Sequence, residues 1–311
     1  MKNRIIFCGT PDIAAGILQS LLDIESIEVV AVITQPDRFV GRKKVLTPSP
    51  VKIVANENDI LVLQPEKIGT ITLEVQNLKP DFMVTCAYGQ FVPQKILDLF
   101  KNCINVHGSL LPKYRGGSPI QYSIMNGDEI SGISLMKMIK QMDAGEVYVQ
   151  EEIKIESSDN SGSLFLKMTS LGQSMIKKYL SKILSGEIKG KPQDESQVTF
   201  AYNKVGEQEK IDGSKSNFEI HNFIRAMTPR PIPFTTFNDE RGKIGSSKIS
   251  EKKVDNTVTP GTIVEKNNEG VFVKTGNGVL QILELQRPGK NMTNAGTFKD
   301  QTIINKGDKF L

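Results

Sequence analysis

The strongest constraint on this chain is a rhythm in its first half. Runs of β-branched and other apolar residues, "RIIFC", "IEVVAVIT", "ILVLQ", "DFMVTCA" and "CINV", recur with helical stretches between several of them. "IEVVAVIT" is nearly continuous in apolar residues, as a strand covered on both faces of its sheet must be. Strand–helix alternation of this kind predicts an α/β fold with a doubly wound, mostly parallel sheet of the Rossmann-like type. Further along, "ISLMKMI" and "EVYVQEEIKI" read as a late strand pair flanking "KQMDAG". "DNSGSLFLKMTSLGQSMIKKYLSKILSG" reads as one long amphipathic helix with Gly186 near its end. In the first helix, within "GTPDIAAGILQSLL", Thr10 is the expected cap and Pro11 the first helical residue.

The periodicity then breaks. "EIKGKPQDESQVTFAYNKVGEQEK" is polar and reads as a linker over roughly residues 189–206. It separates a first domain, 1–188, from a second, 207–311. The second opens on a helix, "SKSNFEIHNFIRAM", with its cap expected near Ser214. Short β-branched runs follow, punctuated by the turn signals "NNEG" and "TGNG", and such spacing predicts a small antiparallel barrel of the oligonucleotide-binding (OB) kind. A length of 311 residues fits two domains, since single cores stop growing near about 250–300 residues.

Composition excludes several classes. No apolar run approaches the roughly 18 residues of a membrane span, and the apolar core of "MKNRIIFCGTPD" is far too short for a signal peptide. Cys8, Cys86 and Cys103 lack metal-type spacing and sit in or beside apolar runs, so reduced, buried thiols in a cytoplasmic protein are expected. The net charge of +4 demands no nucleic acid; if RNA binds, local patches must hold it. The first turn, "CGTPDIAAG", lacks the G-x-G-x-x-G pattern, which argues against a dinucleotide despite the fold class.

Chemistry concentrates in "CINVHGSLLPKYRGGSPIQ", Cys103 to Gln121, which holds one of the chain's two histidines. A histidine after an apolar run is more often structural. Two neighbours raise the odds for His107. Asn105 lies two residues earlier, so on an extended chain both side chains leave the same face. An amide that donates a hydrogen bond beside an imidazole that shuttles protons is what acyl transfer to an amine requires. Asp143, in "KQMDAGEV", reads at first as a turn former, yet from a loop between two strands its carboxylate could orient the ring. The loop "GSLLPKYRGGSPIQ" is either a rigid connection or the wall of a flat, partly apolar ligand site.

Taken together, "CGTPDIAAGIL", "AYGQFVPQKIL", "INVHGSLLPKYRGGSPIQ" and "MDAGEV" resemble the folate-dependent formyltransferases. The likeness runs over nearly the whole length, including "TQPDRFVGRKKVLTPSPVK" and "QDESQVTFAYNK". It implies 10-formyltetrahydrofolate as co-substrate, and as acceptor the α-amino group of methionine on initiator tRNA. It also implies Asn105, His107 and Asp143 as catalytic residues, with no metal and no covalent enzyme intermediate. Ser109, Leu110, Leu111 and Pro112 would line the folate side, and Ala87, Tyr88, Gly89 and Gln90 are a second set of candidate folate contacts. "DRFVGRKK", with Arg38, Arg42, Lys43 and Lys44, would enter the acceptor stem, although a charge run alone is more often a solvated face. The expected protein is a monomer.

The chain departs from the usual family pattern at "RGGSP", where Arg-Gly-Ala-Ala-Pro is commoner, and at "GRKKVL", where the lysines are displaced by one position. Three rivals remain. A formyltransferase acting on a nucleotide (UDP)-linked aminosugar would share the trio but would not require the basic loop. A purine-pathway formyltransferase would have no purpose for the residues after 207. A non-catalytic RNA-binding protein would not need to keep Asn105, His107 and Asp143.

Overall fold

The computed structural model describes residues 2–41, 43–237, 240–301 and 304–310. By its contacts the chain divides into two compact units. The first comprises Met1–Pro119, Ile130–Lys154 and Phe165–Tyr202; the second comprises Ile120–Glu129, Ile155–Leu164 and Asn203–Leu311.

The first unit is built on a seven-stranded sheet. Its strands are β1 (Asn3–Gly9), β2 (Ile27–Ile33), β5 (Val62–Leu63), β6 (Phe82–Cys86), β7 (Asn102–His107), β8 (Ile130–Lys137) and β9 (Val147–Lys154), in the spatial order β5-β2-β1-β6-β7-β8-β9. From β5 to β7 every pair is parallel, and β7–β8 and β8–β9 are antiparallel. The mostly parallel sheet is therefore present, and its apolar runs are explained by cover on both faces. All five residues of β6 are buried, while β9, at the edge, alternates. Chain order reverses beside β1, and the crevice beyond the carboxyl ends of β1, β6 and β7 is where such a sheet offers a ligand site.

Helix α1 (Asp12–Leu22) follows β1, and Pro11 rather than Thr10 occupies its cap position. Thr10 lies one residue outside, and its hydroxyl instead donates to the Tyr88 carbonyl at 3.0 Å. Gly16 of α1 earns its place by packing: a Cβ there would lie 2.6 Å from the Thr169 methyl on the long helix α6 (Ser161–Leu184). Gly16 thus serves the close approach of α1 and α6, whereas Gly9 leaves room for the Cys86 carbonyl at the end of β6, which a Cβ would approach to 2.9 Å. Past α6 the chain turns at Gly186, whose φ is +79°.

Helices α2 (Pro50–Glu57), α3 (Thr72–Asn77) and α4 (Gln94–Leu97) complete the connections between β2 and β7. Between β2 and α2 the basic segment is folded into an antiparallel hairpin, β3 (Arg38–Val40) with β4 (Val45–Thr47), which its charges concealed.

The stretch 189–206 does not hang free. Lys191 pairs with Val147, the Arg115 N–H donates to the Thr199 carbonyl at 2.9 Å, and the Ala201 N–H donates back to Arg115 at 2.8 Å. As far as Tyr202 it is a strap on the first unit.

In the second unit, α5 (Pro119–Met125) contributes all but its first residue. Helix α7 (Asn217–Met227) is capped by Ser216, not Ser214. Ser216 accepts from the Glu219 N–H while the Glu219 carboxylate accepts from the Ser216 N–H, a reciprocal cap whose loss costs about 1 kcal/mol. Ser214 is held instead by Asp212, through both its N–H and its hydroxyl.

The strands β10 (Phe234–Phe237), β11 (Glu240–Ser250), β12 (Ile263–Asn267), β13 (Gly270–Lys274), β14 (Val279–Gln286) and β15 (Thr293–Asn294) form an antiparallel sheet in the order β10-β11-β14-β13-β12, with β15 on β14. The "NNEG" and "TGNG" turns join β12 to β13 and β13 to β14, as their sequence requires. Ile220 and Ile224 of α7 share one buried cluster with Ile244, Val271, Leu280 and Ile282 of the sheet. No helix among the described residues is long and apolar enough to cross a membrane.

Candidate active site

The site grows from the paired ends of β6 and β7. Thr85 and Asn105 are partners in the parallel register. The buried Thr85 hydroxyl donates to Asn105 Oδ1 at 2.8 Å. This fixes the amide: its oxygen is engaged, and its Nδ2 faces Asp143, 3.4 Å from Oδ1. An amide nitrogen has two hydrogens, so the second is open to an acceptor on a substrate.

His107 closes β7 and is 4% exposed. Its Nε2 lies 2.9 Å from the Tyr114 carbonyl oxygen. A carbonyl only accepts, so Nε2 carries the hydrogen in that bond. Nδ1 stands 3.7 Å from Asp143 Oδ2, an ion-pair distance rather than a hydrogen bond. A neutral ring therefore has its lone pair at Nδ1, and a proton arriving there finds a carboxylate facing it.

Asp143 comes from the loop between β8 and β9, in the left-handed region at φ +50°. Its Oδ2 accepts from the Gly116 N–H at 2.8 Å. Gly116 itself has φ +124°, and a Cβ there would meet the Ala201 carbonyl at 2.7 Å, so the strap and this carboxylate meet where only glycine fits. The three candidates picked from the sequence are thus brought together. Sequence reasoning missed Thr85 and Gly116, because their roles depend on register and on loop closure between distant segments.

The candidate folate segments are held firmly. Ser109 is fully buried, and its hydroxyl donates to the Lys113 carbonyl at 2.6 Å. Ser134 on β8 donates to the Ser109 carbonyl, and its Oγ accepts from the Leu111 N–H at 3.1 Å. Gln150 on β9 donates to the Leu111 carbonyl and to Ser134 Oγ. Leu110 packs over Gly132, and Pro112 is half-buried. The polar atoms of this loop are largely engaged within the protein, so what it presents is shape.

In the second segment the Tyr88 side chain is buried in the core, and its carbonyl accepts from Thr10 and Gln35. The Gln90 amide accepts from the Ile68 N–H and donates to the Pro65 carbonyl. Ala87, at φ +45°, and Gly89, at φ +85°, are exposed. A flat heterocycle edged with donors and acceptors suits such a surface.

Cys8, Cys86 and Cys103 are free and buried. Burial pushes the thiols of Cys86 and Cys103 up to about 12 and that of Cys8 upward still more strongly, so none is a thiolate nucleophile. No group of three or more His, Cys, Asp or Glu among the described residues is placed to hold a metal ion.

The basic candidates differ in kind. Arg38 is exposed and pairs loosely with Glu66 at 3.6 Å, and Lys43 and Lys44 are exposed at the hairpin turn. Arg42 lies outside the described residues. The hairpin also exposes apolar cross-strand pairs, Phe39 with Leu46 and Val40 with Val45. At its base, the Asp37 carboxyl is held below its usual range by hydrogen bonds from Gln64 and Lys52.

Sequence comparisons agree with this architecture. The formyl transferase profile matches residues 1–180, and the profile of the formyl transferase C-terminal domain matches residues 205–301. The chain belongs to the formyl transferase family. It is 50% identical over 312 residues to the methionyl-tRNA formyltransferase of Mesoplasma florum, covering 99% of both chains. It is also 50% identical over 299 residues to the methionyl-tRNA formyltransferase of Mycoplasma capricolum, covering 96% of this chain and 94% of the relative. Among solved structures, the N-formyltransferase from Helicobacter canadensis in complex with folinic acid and dTDP-3-aminofucose superposes with a TM-score of 0.69. At 23% identity, with 92% of this chain and 100% of that one covered, this likeness concerns the fold.

Proposed function

We propose that the chain transfers the formyl group of 10-formyltetrahydrofolate to the α-amino group of methionyl-initiator tRNA, so that the product serves translation initiation. The observation that carries this reading is the convergence of Asn105, His107 and Asp143 at the end of β7, in a chain half identical along its length to relatives named for that reaction. The donor supplies an activated formyl carbon. Asn105, its amide oriented by Thr85, donates from Nδ2 to the formyl oxygen as that oxygen gains charge. His107 takes a proton from the attacking amine at Nδ1, directly or through water, and returns it to the departing nitrogen. Asp143, fixed by the Gly116 N–H, faces the imidazolium while it exists and keeps the ring in the competent orientation.

Loop 109–112 forms the wall against which the donor lies, and the exposed Ala87 and Gly89 contact its heterocycle. Arg38, Lys43 and Lys44 meet RNA phosphates from the hairpin, and the sequence assigns Arg42 the same part. A small UDP-aminosugar acceptor would not require such a basic hairpin. The work is done in the cytoplasm, a reducing compartment that suits three buried free thiols. The test offers purified protein and 10-formyltetrahydrofolate both methionyl-initiator tRNA and a UDP-aminosugar, with His107→Ala as control. Formylated methionyl-tRNA, lost in the variant, is the expected result; formyl transfer to the sugar alone would overturn the choice of acceptor.

A further inference from the structure

The strap that follows α6 carries a side chain that reaches the loop of Asp143 from behind. Gln193 donates through Nε2 to two backbone carbonyls, that of Asp143 at 2.8 Å and that of Gly145 at 2.7 Å. Its Oε1 accepts from Arg115, from Nε at 3.1 Å and from Nη2 at 2.9 Å. Both hydrogens and both lone pairs of the amide are engaged, so its orientation is fully determined. Arg115 is 1% exposed and is closed on its other edge by Glu195, with Nη2–Oε1 at 2.7 Å and Nη1–Oε2 at 3.2 Å. Three segments far apart in sequence, at 115, 143–145 and 193–195, are therefore locked around one amide.

The lock bears on the one residue of the trio whose backbone needs it. A non-glycine residue at positive φ persists where its surroundings over-determine it. Asp143 sits at φ +50°, and its own carbonyl is one of the two that Gln193 grips. The carboxylate must meet the Gly116 N–H at 2.8 Å and face His107 Nδ1 at 3.7 Å, and a rotation of the peptide beyond Asp143 would spoil both. Gly116 is itself the residue after Arg115, so the same lock sets donor and acceptor. We infer that Gln193 is a positioning residue for formyl transfer, acting through the backbone of Asp143 to aim its carboxylate at His107. The proposal rests on the reading of Asp143 given above.

The test uses the full chain with Gln193→Glu and Gln193→Met. Glutamate keeps the size and the acceptor for Arg115, but an ionised carboxylate donates nothing to the two carbonyls. Methionine fills the space with neither function. In single-turnover formyl transfer to methionyl-initiator tRNA, amplitude reports the folded, competent fraction and rate reports positioning. The expected result for Gln193→Glu is a full amplitude with a rate lower by about 10- to 100-fold, and unchanged KM values for donor and tRNA. With only two histidines in the chain, the ring resonances of His107 should shift in the same variant while those of His221 stay in place. Gln193→Met should show the same loss of rate, which guards against a glutamate-specific disturbance. Asp143→Asn is measured beside them. A slow Asp143→Asn with both Gln193 variants at the wild-type rate would overturn the role of Gln193 alone. Lower amplitude at an unchanged rate would reduce it to a structural contact. An Asp143→Asn at the wild-type rate would remove the reading of Asp143 and this proposal with it.

Discussion

On the proposed function, the end of β7 and the β3–β4 hairpin represent opposite ways of building activity into one unit. At β7 the side chains are buried and engaged: Asn105 by Thr85, His107 by the Tyr114 carbonyl, Asp143 by Gly116. At the hairpin Arg38, Lys43 and Lys44 stand in solvent, and the Arg38–Glu66 ion pair is long, at 3.6 Å. Chemistry on a carbonyl needs groups fixed before the reaction begins, because reorienting them at the transition state adds to the barrier. Phosphate recognition tolerates mobile cations, because the attraction is long-ranged and has little angular demand.

Breaking the rigid side should give the largest effects. His107→Ala should lower the turnover rate by about 10³-fold or more at saturating substrates, by loss of proton transfer. Asn105→Ala should lower it by about 10²–10³-fold, the usual cost of one oxyanion donor. Thr85→Val keeps the volume and removes the hydroxyl, freeing the Asn105 amide to turn over; a rate loss of about tenfold with unchanged KM for tRNA is expected, and steady-state kinetics decides it. On the exposed side, Lys43→Ala with Lys44→Ala should act on KM for tRNA. It should flatten the dependence of log affinity on log salt by about one unit per lost phosphate contact, measured by titration at several salt concentrations.

The smallest expected effect lies in the second unit and tests stability. Burial, with the nearby Arg225 charge adding, holds the His221 ring down to about 4, and Ser247 hydrogen-bonds it. The unfolded chain binds that proton near the ordinary histidine value, about 6.5. Between these values the unfolded state carries more protons, so this contribution is complete above about pH 6.5 and is lost as pH falls toward 4. Denaturant midpoints across that window should decline less steeply in His221→Gln.

What could be read in the sequence divides along the same line. The parallel sheet was legible because fully covered strands must be largely apolar, and β6 is, with Thr85 its one polar side chain. Asn105 and His107 were legible because spacing by two on a strand fixes a shared face. Asp143 was reachable through its place in a loop between strands and through the family resemblance. Thr85, Gln193 and Arg115 were not, since each acts through a partner about 20 to 80 positions away and no local pattern encodes that. The cap at Thr10 was misplaced because Pro11 takes the cap position, and the cap at Ser214 because Asp212 captures that serine first. The hairpin was hidden because its short strands are exposed and lack the alternation that marks a half-buried pair.

The most direct test of the account is the single-turnover rate of His107→Ala with saturating 10-formyltetrahydrofolate and methionyl-initiator tRNA. The expected loss is about 10³-fold or more, with tRNA binding retained. A variant within about tenfold of the wild-type rate would contradict it, because the proton would then be moving through some other group.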